Sequence, residues 1–319
     1  MITQESEGAR PIRVSLGLPA YMAARWISNC LESILAQTVT DFEVVISDNC
    51  STDETPEICR CFAERDSRIR LVRQAENIGI AANHNFTFAQ ARAPYFCWLS
   101  ANDVYDPHFL ERCLAVLEAS PDVVLVAPRA SNFLETPGDG ELFAESELHD
   151  ETDSRRRLYV VMSSTLGSRV FRGVYRRSAI EGEAPLKQVF GNDHLLVVQM
   201  STVGRVVQIG GPLYYERISA GARTASVPLS LRAQYYEPGS GVRIILFHRV
   251  RIMARYWGIA MRHAKKTGSR FAAVGPMLGV MYRLWRMPVR DLREATGLAR
   301  EWFRGKLSRR ANRSPGHPF

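Results

Sequence analysis

Residues 95–110 read YFCWLSANDVYDPHFL: an aromatic and aliphatic run, a polar turn of Ser100, Ala101, Asn102 and Asp103, and a helical start after Pro107. A β-rich run that breaks at a turn and resumes at helical period marks one strand-to-helix boundary of an α/β protein. What the turn holds decides how the fold is used. A cation held against phosphates usually meets carboxylates, and of these four residues only Asp103 is acidic.

Working outward, the same pattern recurs. Residues 12–18 (IRVSLGL) alternate and run into Pro19, and Ile27, Leu31, Ile34 and Leu35 fall at helical spacing between Trp26 and Gln37. FEVVI at 42–46 is a continuous β-rich run, as in a buried parallel strand, and stops at the turn and capping residues SDNCSTDET. Ile69–Val72 is a third strand, ENIGIAANHN leads into another helix, and VVLVAP at 123–128 is a strand after the helix from Pro107. Strand and helix alternating in this way imply βαβ units on a mostly parallel sheet, with ligands at the carboxyl ends of the strands. The polar clusters Pro19–Tyr21, Asp48–Asp53, Asn77–Asn85 and Asn102–Asp103 all fall at that edge. No GxGxxG follows the first strand and no GxxxxGK[ST] occurs, which excludes the dinucleotide fingerprint and the P-loop.

Downstream, residues 129–158 are polar and acid-rich and are expected to form a loop. VFRGVYRRSAI (170–180) returns to order. FGNDHLLVVQMSTVG (190–204) predicts a turn capped by Asn192 or Asp193 and then a helix, and RVVQIGGPLYYERIS (205–219) predicts a strand pair closing a first domain near residue 220.

Composition agrees with an ordinary folded chain of 319 residues, 46% hydrophobic and 23% charged. The opening MITQESEGARP lacks a charged-then-apolar run, so no secretory signal is expected, and no stretch of about 20 apolar residues is present to span a bilayer. The six cysteines (30, 50, 59, 61, 97 and 113) form no CxxC and are expected to be reduced thiols that mostly fill core space in a cytoplasmic protein. Residues 251–319 hold 16 Lys or Arg against three acids, a balance of +13, which leaves −5 for residues 1–250 of a chain whose total is +8. The basic character belongs to the tail.

The order and spacing of the clusters resemble the family 2 glycosyltransferases of bacterial polysaccharide assembly, whose fold is GT-A. The resemblance runs from about Val14 to Arg217. VSLGLPAY looks like the family's opening strand and Pro-x-Tyr loop, VVISDNCSTDET is similar to its VVDDGSTDGT segment, and ENIGIAANHN to its NxGxxxAxN segment. YFCWLSANDVYDPHFL stands where the family has a DxD-type turn, and GNDHLL where it places a catalytic acid.

The resemblance implies a donor site for a UDP-, GDP- or dTDP-sugar built from Pro19, Tyr21, Asp48, Asn77, Gly79, Asn83 and Asn102. Asp48 follows a buried strand, where it either accepts from a nucleobase or ribose or caps a turn. Gly79 permits close backbone approach, and the asparagines either donate to ribose and phosphate oxygens or serve as turn and cap residues. Asp103 takes the last acidic position of the family turn and is expected to hold Mg²⁺ or Mn²⁺; otherwise it caps the following helix. Asn102 keeps a sugar contact. Asp193 is the expected general base for an inverting reaction, with an N-cap as its other use. Ser51, Arg73, Asn85, His194 and Arg217 are further candidates. Met22 stands where the family often has Asn, and Arg217-Ile218-Ser219 lacks the His of its Arg-x-His, so the metal site is thinned.

The expected organisation is a GT-A catalytic domain over 1–220, with nucleotide-sugar binding in about 12–128 and acceptor and catalytic parts in about 160–217, followed by a basic helical region over 221–319. Leu292, Thr296, Ala299 and Phe303 line one face of a basic helix, and FAAVGPMLGVMY (271–282) is too short to span. The tail either lies on an anionic membrane at its inner face or packs on the catalytic domain; a nucleic-acid role has charge but no motif. The expected function is transfer of a sugar to a glycan or lipid-linked acceptor. Its rivals are a degenerate nucleotide-sugar-binding scaffold subunit and a sugar-nucleotide pyrophosphorylase, the latter opposed by the lack of a Gly-rich basic loop after the first strand.

Overall fold

The first two strands are buried on both faces, which is why their sequences show continuous apolar runs and only weak alternation. In the computed structural model, residues 11–134, 137, 140–141, 151–163, 167–180, 182, 185–189, 191–218 and 248–268 are described. Among these, β1 (Val14–Ala20), β2 (Phe42–Asp48), β3 (Ile69–Arg73) and β4 (Tyr95–Trp98) pair in parallel in the order β3-β2-β1-β4. Helices α1 (Ile27–Leu35), α2 (Thr55–Arg65) and α3 (Ile80–Ala89) make the crossovers. The expected parallel core of the sheet is therefore present.

The sheet continues as β7-β6-β8-β5. The short strand β5 (Val104–Tyr105) leads to α4 (Phe109–Ala119) and then to β6 (Val123–Phe133). β7 (Val174–Arg176), from the VFRGVYRR segment, inserts antiparallel between β4 and β6. The sequence shows order there but not this position. Residues 205–217 form one strand, β8 (Arg205–Arg217), parallel to β6, and not the expected pair. Register shifts after Pro128 and Arg129, with Gly211 at φ 85°, bend this ribbon without ending it. The expected loop at 129–158 is shortened at both ends, because β6 runs to Phe133 and α5 (Ser154–Ser163) starts before 158.

Pleating sorts the core into two layers. In the run 96–99, Cys97 and Leu99 join Val14, Leu16, Ile34 and Leu110 on one side of the sheet. Phe96 and Trp98 face the other side, where α3, α5, α6 (Gly167–Val170) and α7 (Asn192–Val203) lie. Trp98 is fully buried, stacks on Phe171 at 5.0 Å and meets Phe96 and Tyr175 edge-on at 4.7 and 5.5 Å. Gly17 is required on β1, since a Cβ there would stand 2.5 Å from Thr87 Oγ1 on α3.

Helix α8 (His248–Lys266) adds its buried Tyr256, Ile259, Ala260 and Ala264 to this second layer, while Arg255, Arg262, Lys265 and Lys266 are exposed. For this first part of the basic tail, the packing alternative holds. The boundary expected near 220 and the face formed by Leu292, Thr296, Ala299 and Phe303 lie outside the described residues. All six cysteines are free thiols; 30, 59, 97 and 113 are buried, and burial pushes the Cys59 thiol up to about 12.

Candidate functional site

Beyond the carboxyl ends of β1, β2 and β4 lies a polar cleft of about 100 Å³. Pro19 and Tyr21 form one wall, Asn49 and Asn77 another, and Ser100–Asn102 the rim, with Arg172 and His84 completing it. All four sequence clusters thus send residues to it, as the parallel topology requires.

The loop after β2 is built around Asp48. This carboxylate is fully buried; the Ser51 N–H donates to it at 3.3 Å and the Arg73 guanidinium stands 3.4 Å away. Arg73 also donates to the Ser51 carbonyl at 3.0 Å, so this candidate site residue braces the loop. Ser51 Oγ in turn accepts the Met22 N–H at 3.0 Å and ties the β1 loop to the β2 loop. Asp48 and Ser51 therefore shape the floor below the cleft and do not line it. Asn49, which the sequence reading passed over, does line it: its amide donates to Asn77 Oδ1 at 2.8 Å and accepts the Ile78 N–H at 2.9 Å.

The ENIGIAANHN segment divides its work. Asn77 Oδ1 also accepts the Gly79 N–H, and Gly79, at φ 82°, caps α3. The Asn83 amide is closed on β2, accepting Ser47 Oγ–H at 2.6 Å and donating to the Ser47 carbonyl at 3.0 Å. Asn85 clamps the backbone of Leu186 through both its amide atoms, at 2.8 and 2.9 Å, which fixes the chain ahead of α7. His84 donates Nδ1–H to the Ile80 carbonyl, and burial, reinforced by Arg172, pushes its pKa down to about 3, so it is neutral.

At the 100–103 turn the expected metal ligand is differently employed. Asp103 is buried: the Tyr214 hydroxyl donates to one oxygen at 2.6 Å and the Arg217 N–H to the other at 3.0 Å. Burial raises its pKa, against the lowering effects of Tyr214, Arg172, Ser100 and Arg217. Two-residue β5, paired with Tyr214 and Tyr215 of β8, is what brings those donors to it. Arg217 donates to the Asn102 and Leu134 carbonyls and lies over Trp26 and Phe133, at 3.9 and 4.3 Å. Asn102 is exposed on the cleft rim and its side-chain amide makes no hydrogen bond among the described residues. Among those residues no three His, Cys, Asp or Glu side chains gather. The turn offers a divalent cation a single carboxylate, Asp103, whose two oxygens also join the turn to β8 through Tyr214 and Arg217.

Arg172 was not singled out from sequence. It follows Phe171 and precedes Gly173, where a Cβ would meet the Val126 carbonyl at 2.3 Å, so the chain is pressed onto β6. The Arg172 guanidinium donates to the Leu99 carbonyl at 3.2 Å and lies against Phe171. Burial lowers its pKa, but Tyr214, Tyr105, Asp103 and Asp193 outweigh that and raise it above the ordinary arginine value. The guanidinium is permanently charged.

Asp193 stands in the first turn of α7, after Gly191 in the left-handed conformation at φ 74°. The helix cap is this glycine and neither of the expected Asn192 or Asp193. Asn192 Oδ1 accepts the Asp193 N–H at 2.8 Å and its Nδ2 donates to the Lys187 carbonyl at 3.1 Å. Asp193 is part-exposed; Oδ1 accepts the His194 N–H at 2.8 Å, and Oδ2 makes no hydrogen bond among the described residues. His194 is structural, with Nδ1 on the Tyr256 hydroxyl and Nε2 on the Val161 carbonyl, joining α5, α7 and α8.

A sheet of this order, with its polar cleft at the carboxyl ends of the central strands, is of the GT-A glycosyltransferase class, and solved structures share the fold. Residues 1–349 of Staphylococcus aureus TarS superpose with a TM-score of 0.62 at 15% identity, covering 86% of this chain and 72% of that one. The mannosyltransferase PcManGT from Pyrobaculum calidifontis, in complex with GDP-Man and Mn²⁺, gives 0.51 at 18% identity over 90% and 76%. The chain belongs to glycosyl transferase family 2, whose model matches residues 15–178, just over half its length. Its relatives include a chondroitin synthase of Pasteurella multocida, 34% identical over 47% of this chain and 15% of that protein. Another is the putative glycosyltransferase EpsH of Bacillus subtilis, 27% identical over 53% and 48%. The chain thus spans less than half the length of the relatives it matches.

Proposed function

We propose that this chain is an inverting glycosyltransferase that moves a sugar from a nucleotide-sugar donor to a hydroxyl of a glycan or lipid-linked acceptor, in assembly of a cell-surface polysaccharide. The observation that carries the reading is a polar strand-edge cleft whose Arg172 feels the charge of Asp193, a carboxylate with Oδ2 unbonded among the described residues, while Asp48 and Asp103 are engaged below the cleft. The donor lies in the cleft against Pro19, Tyr21, Asn49 and Asn102, with Asn77 and Gly79 shaping the loop that closes one wall. The acceptor oxygen attacks the anomeric carbon in line, the bond from that carbon to the phosphate oxygen breaks, and the acceptor proton passes to Asp193. Nucleoside diphosphate leaves with the bonding electron pair.

Relatives named as chondroitin and hyaluronan synthases, and a TarS structure in complex with UDP-GlcNAc, support donor and product class without fixing the sugar. No described helix is long and apolar enough to cross a membrane. We place the protein at the inner membrane face through the basic tail. Trp257 and Met261 support this, being exposed at 43% and 39% one turn apart among the arginines and lysines of α8. Liposome flotation with and without residues 251–319 checks that placement; equal flotation removes it.

The central test presents UDP-, GDP- and dTDP-sugars with candidate acceptors and follows release of nucleoside diphosphate. Turnover with one donor is the expected result. Tight nucleotide binding with no turnover on any acceptor points instead to the scaffold role.

A further inference from the structure

The charge distribution of the cleft is the reverse of that of a cation site. Among the described residues that line it, Arg172 alone is charged; the others are apolar, amide, hydroxyl or the neutral His84. Asp48 and Asp103 are buried beneath it at 0% and 5% exposure, each held by its own donors, and Asp193, whose charge also reaches Arg172, is not among the lining residues. Arg172 makes one side-chain hydrogen bond among the described residues, to the Leu99 carbonyl, and forms no ion pair closer than 4 Å there. Its remaining N–H groups therefore have the cleft to donate into. A divalent cation would meet a fixed guanidinium and no lining carboxylate, whereas a diphosphate would meet a planar donor fork matched to two phosphate oxygens.

We propose that Arg172 binds the diphosphate of the donor directly and that this protein holds its donor without a divalent cation. The proposal rests on the nucleotide-sugar reading above. As the anomeric C–O bond breaks, the electron pair passes to the β-phosphate oxygen, and the Arg172 guanidinium faces the added negative charge. Its fixation by Leu99 and Phe171 means that little reorganisation accompanies the step. Asn102, exposed on the rim, then contributes a neutral amide where an acid would compete with the phosphates for Arg172.

Titration calorimetry of the full chain with UDP, GDP and dTDP, in EDTA and then in Mn²⁺, tests this. One nucleotide is expected to bind with a Kd equal in the two buffers to within about twofold. Arg172→Met is expected to weaken it by about 10- to 100-fold in both, the loss of a charge-assisted contact, and Arg172→Lys by less. Should the Met variant fail to melt cooperatively, the Lys variant carries the comparison, since a lysine keeps the charge but loses the fork. Asn102→Asp is expected to weaken binding in EDTA and to regain it with Mn²⁺. Binding that appears only with Mn²⁺, or a Kd unchanged in both Arg172 variants, overturns the proposal while leaving the donor reading intact. No binding of any nucleotide in either buffer removes the donor reading, and this proposal with it.

Discussion

The turn at 100–103 and the start of α7 each hold an aspartate whose charge reaches Arg172, and they use it in opposite ways. Asp103 stands where a metal ligand is expected, yet it is buried, both oxygens are satisfied by Tyr214 and Arg217, and its pKa is raised by burial. Asp193 stands where a helix cap is expected, yet Gly191 is the cap and the carboxylate keeps one oxygen unbonded among the described residues. A carboxylate's availability is set by how many donors its surroundings bring to it, and sequence position says little about that. β8 brings two donors to Asp103; α7 brings one N–H to Asp193.

The comparison breaks most visibly at Asp193. Asp193→Asn is expected to lower the transfer rate by about 10²- to 10⁴-fold while nucleotide affinity stays unchanged, as loss of a general base does. Steady-state release assays beside calorimetry check it, and a rate within a few-fold of the parent would remove Asp193 as base. At Asp103 the effect is on stability instead. Asp103→Ala strips the acceptor from the buried Tyr214 hydroxyl and the Arg217 N–H and is expected to cost about 2–4 kcal/mol in urea unfolding. Asp103→Asn keeps an acceptor and costs less. Because the folded-state pKa is raised, the stability Asp103 contributes is full below its ordinary value near 3.8 and is lost as pH rises through the folded value. The deficit of the Asn variant is therefore expected to shrink from pH 4 to pH 8, and a constant difference would contradict the assignment.

His84 sharpens the same contrast with the opposite sign. Its pKa falls from 6.5 to about 3 through burial first and Arg172 second, so the unfolded chain takes the proton sooner. Its contribution is present above pH 6.5 and is lost as pH falls toward 3. His84→Gln is expected to flatten the unfolding free energy across that window. The smallest effect belongs to the β2 loop, where Cys50 holds φ 61°, a left-handed conformation unfavourable for a side chain. Cys50→Gly is expected to stabilise by about 1 kcal/mol, seen as a higher melting temperature.

Much of the fold was legible. Four apolar strands, each ending in turn chemistry, were enough to place Pro19–Tyr21, the β2 loop, Asn77 and Asn102 at one edge, because parallel connectivity leaves no other arrangement. What was not legible came from antiparallel and irregular pairing. β5 is two residues long, too short for periodicity, and yet it draws Asp103 to β8. The bend within β8 looked like a hairpin because glycines mark a bulge and a turn alike.

Arg172 shows the limit most clearly. VFRGVYRR and the residue before it offer four arginines. Arg169 pairs with Glu216, Arg176 donates to the carbonyls of Leu117, Ser120 and Val123, and Arg177 lies over Phe88, while Arg172 alone lines the cleft. The sequence by itself determined the α/β class, the strand edge at which the site forms and the candidacy of Asp193, since these follow from periodicity, turn residues and local order. Tertiary structure decided which charges reach the cleft. Burial and donor count are properties of side chains far apart in the chain, and a carboxylate such as Asp103 is withdrawn by Tyr214 and Arg217, more than a hundred positions away.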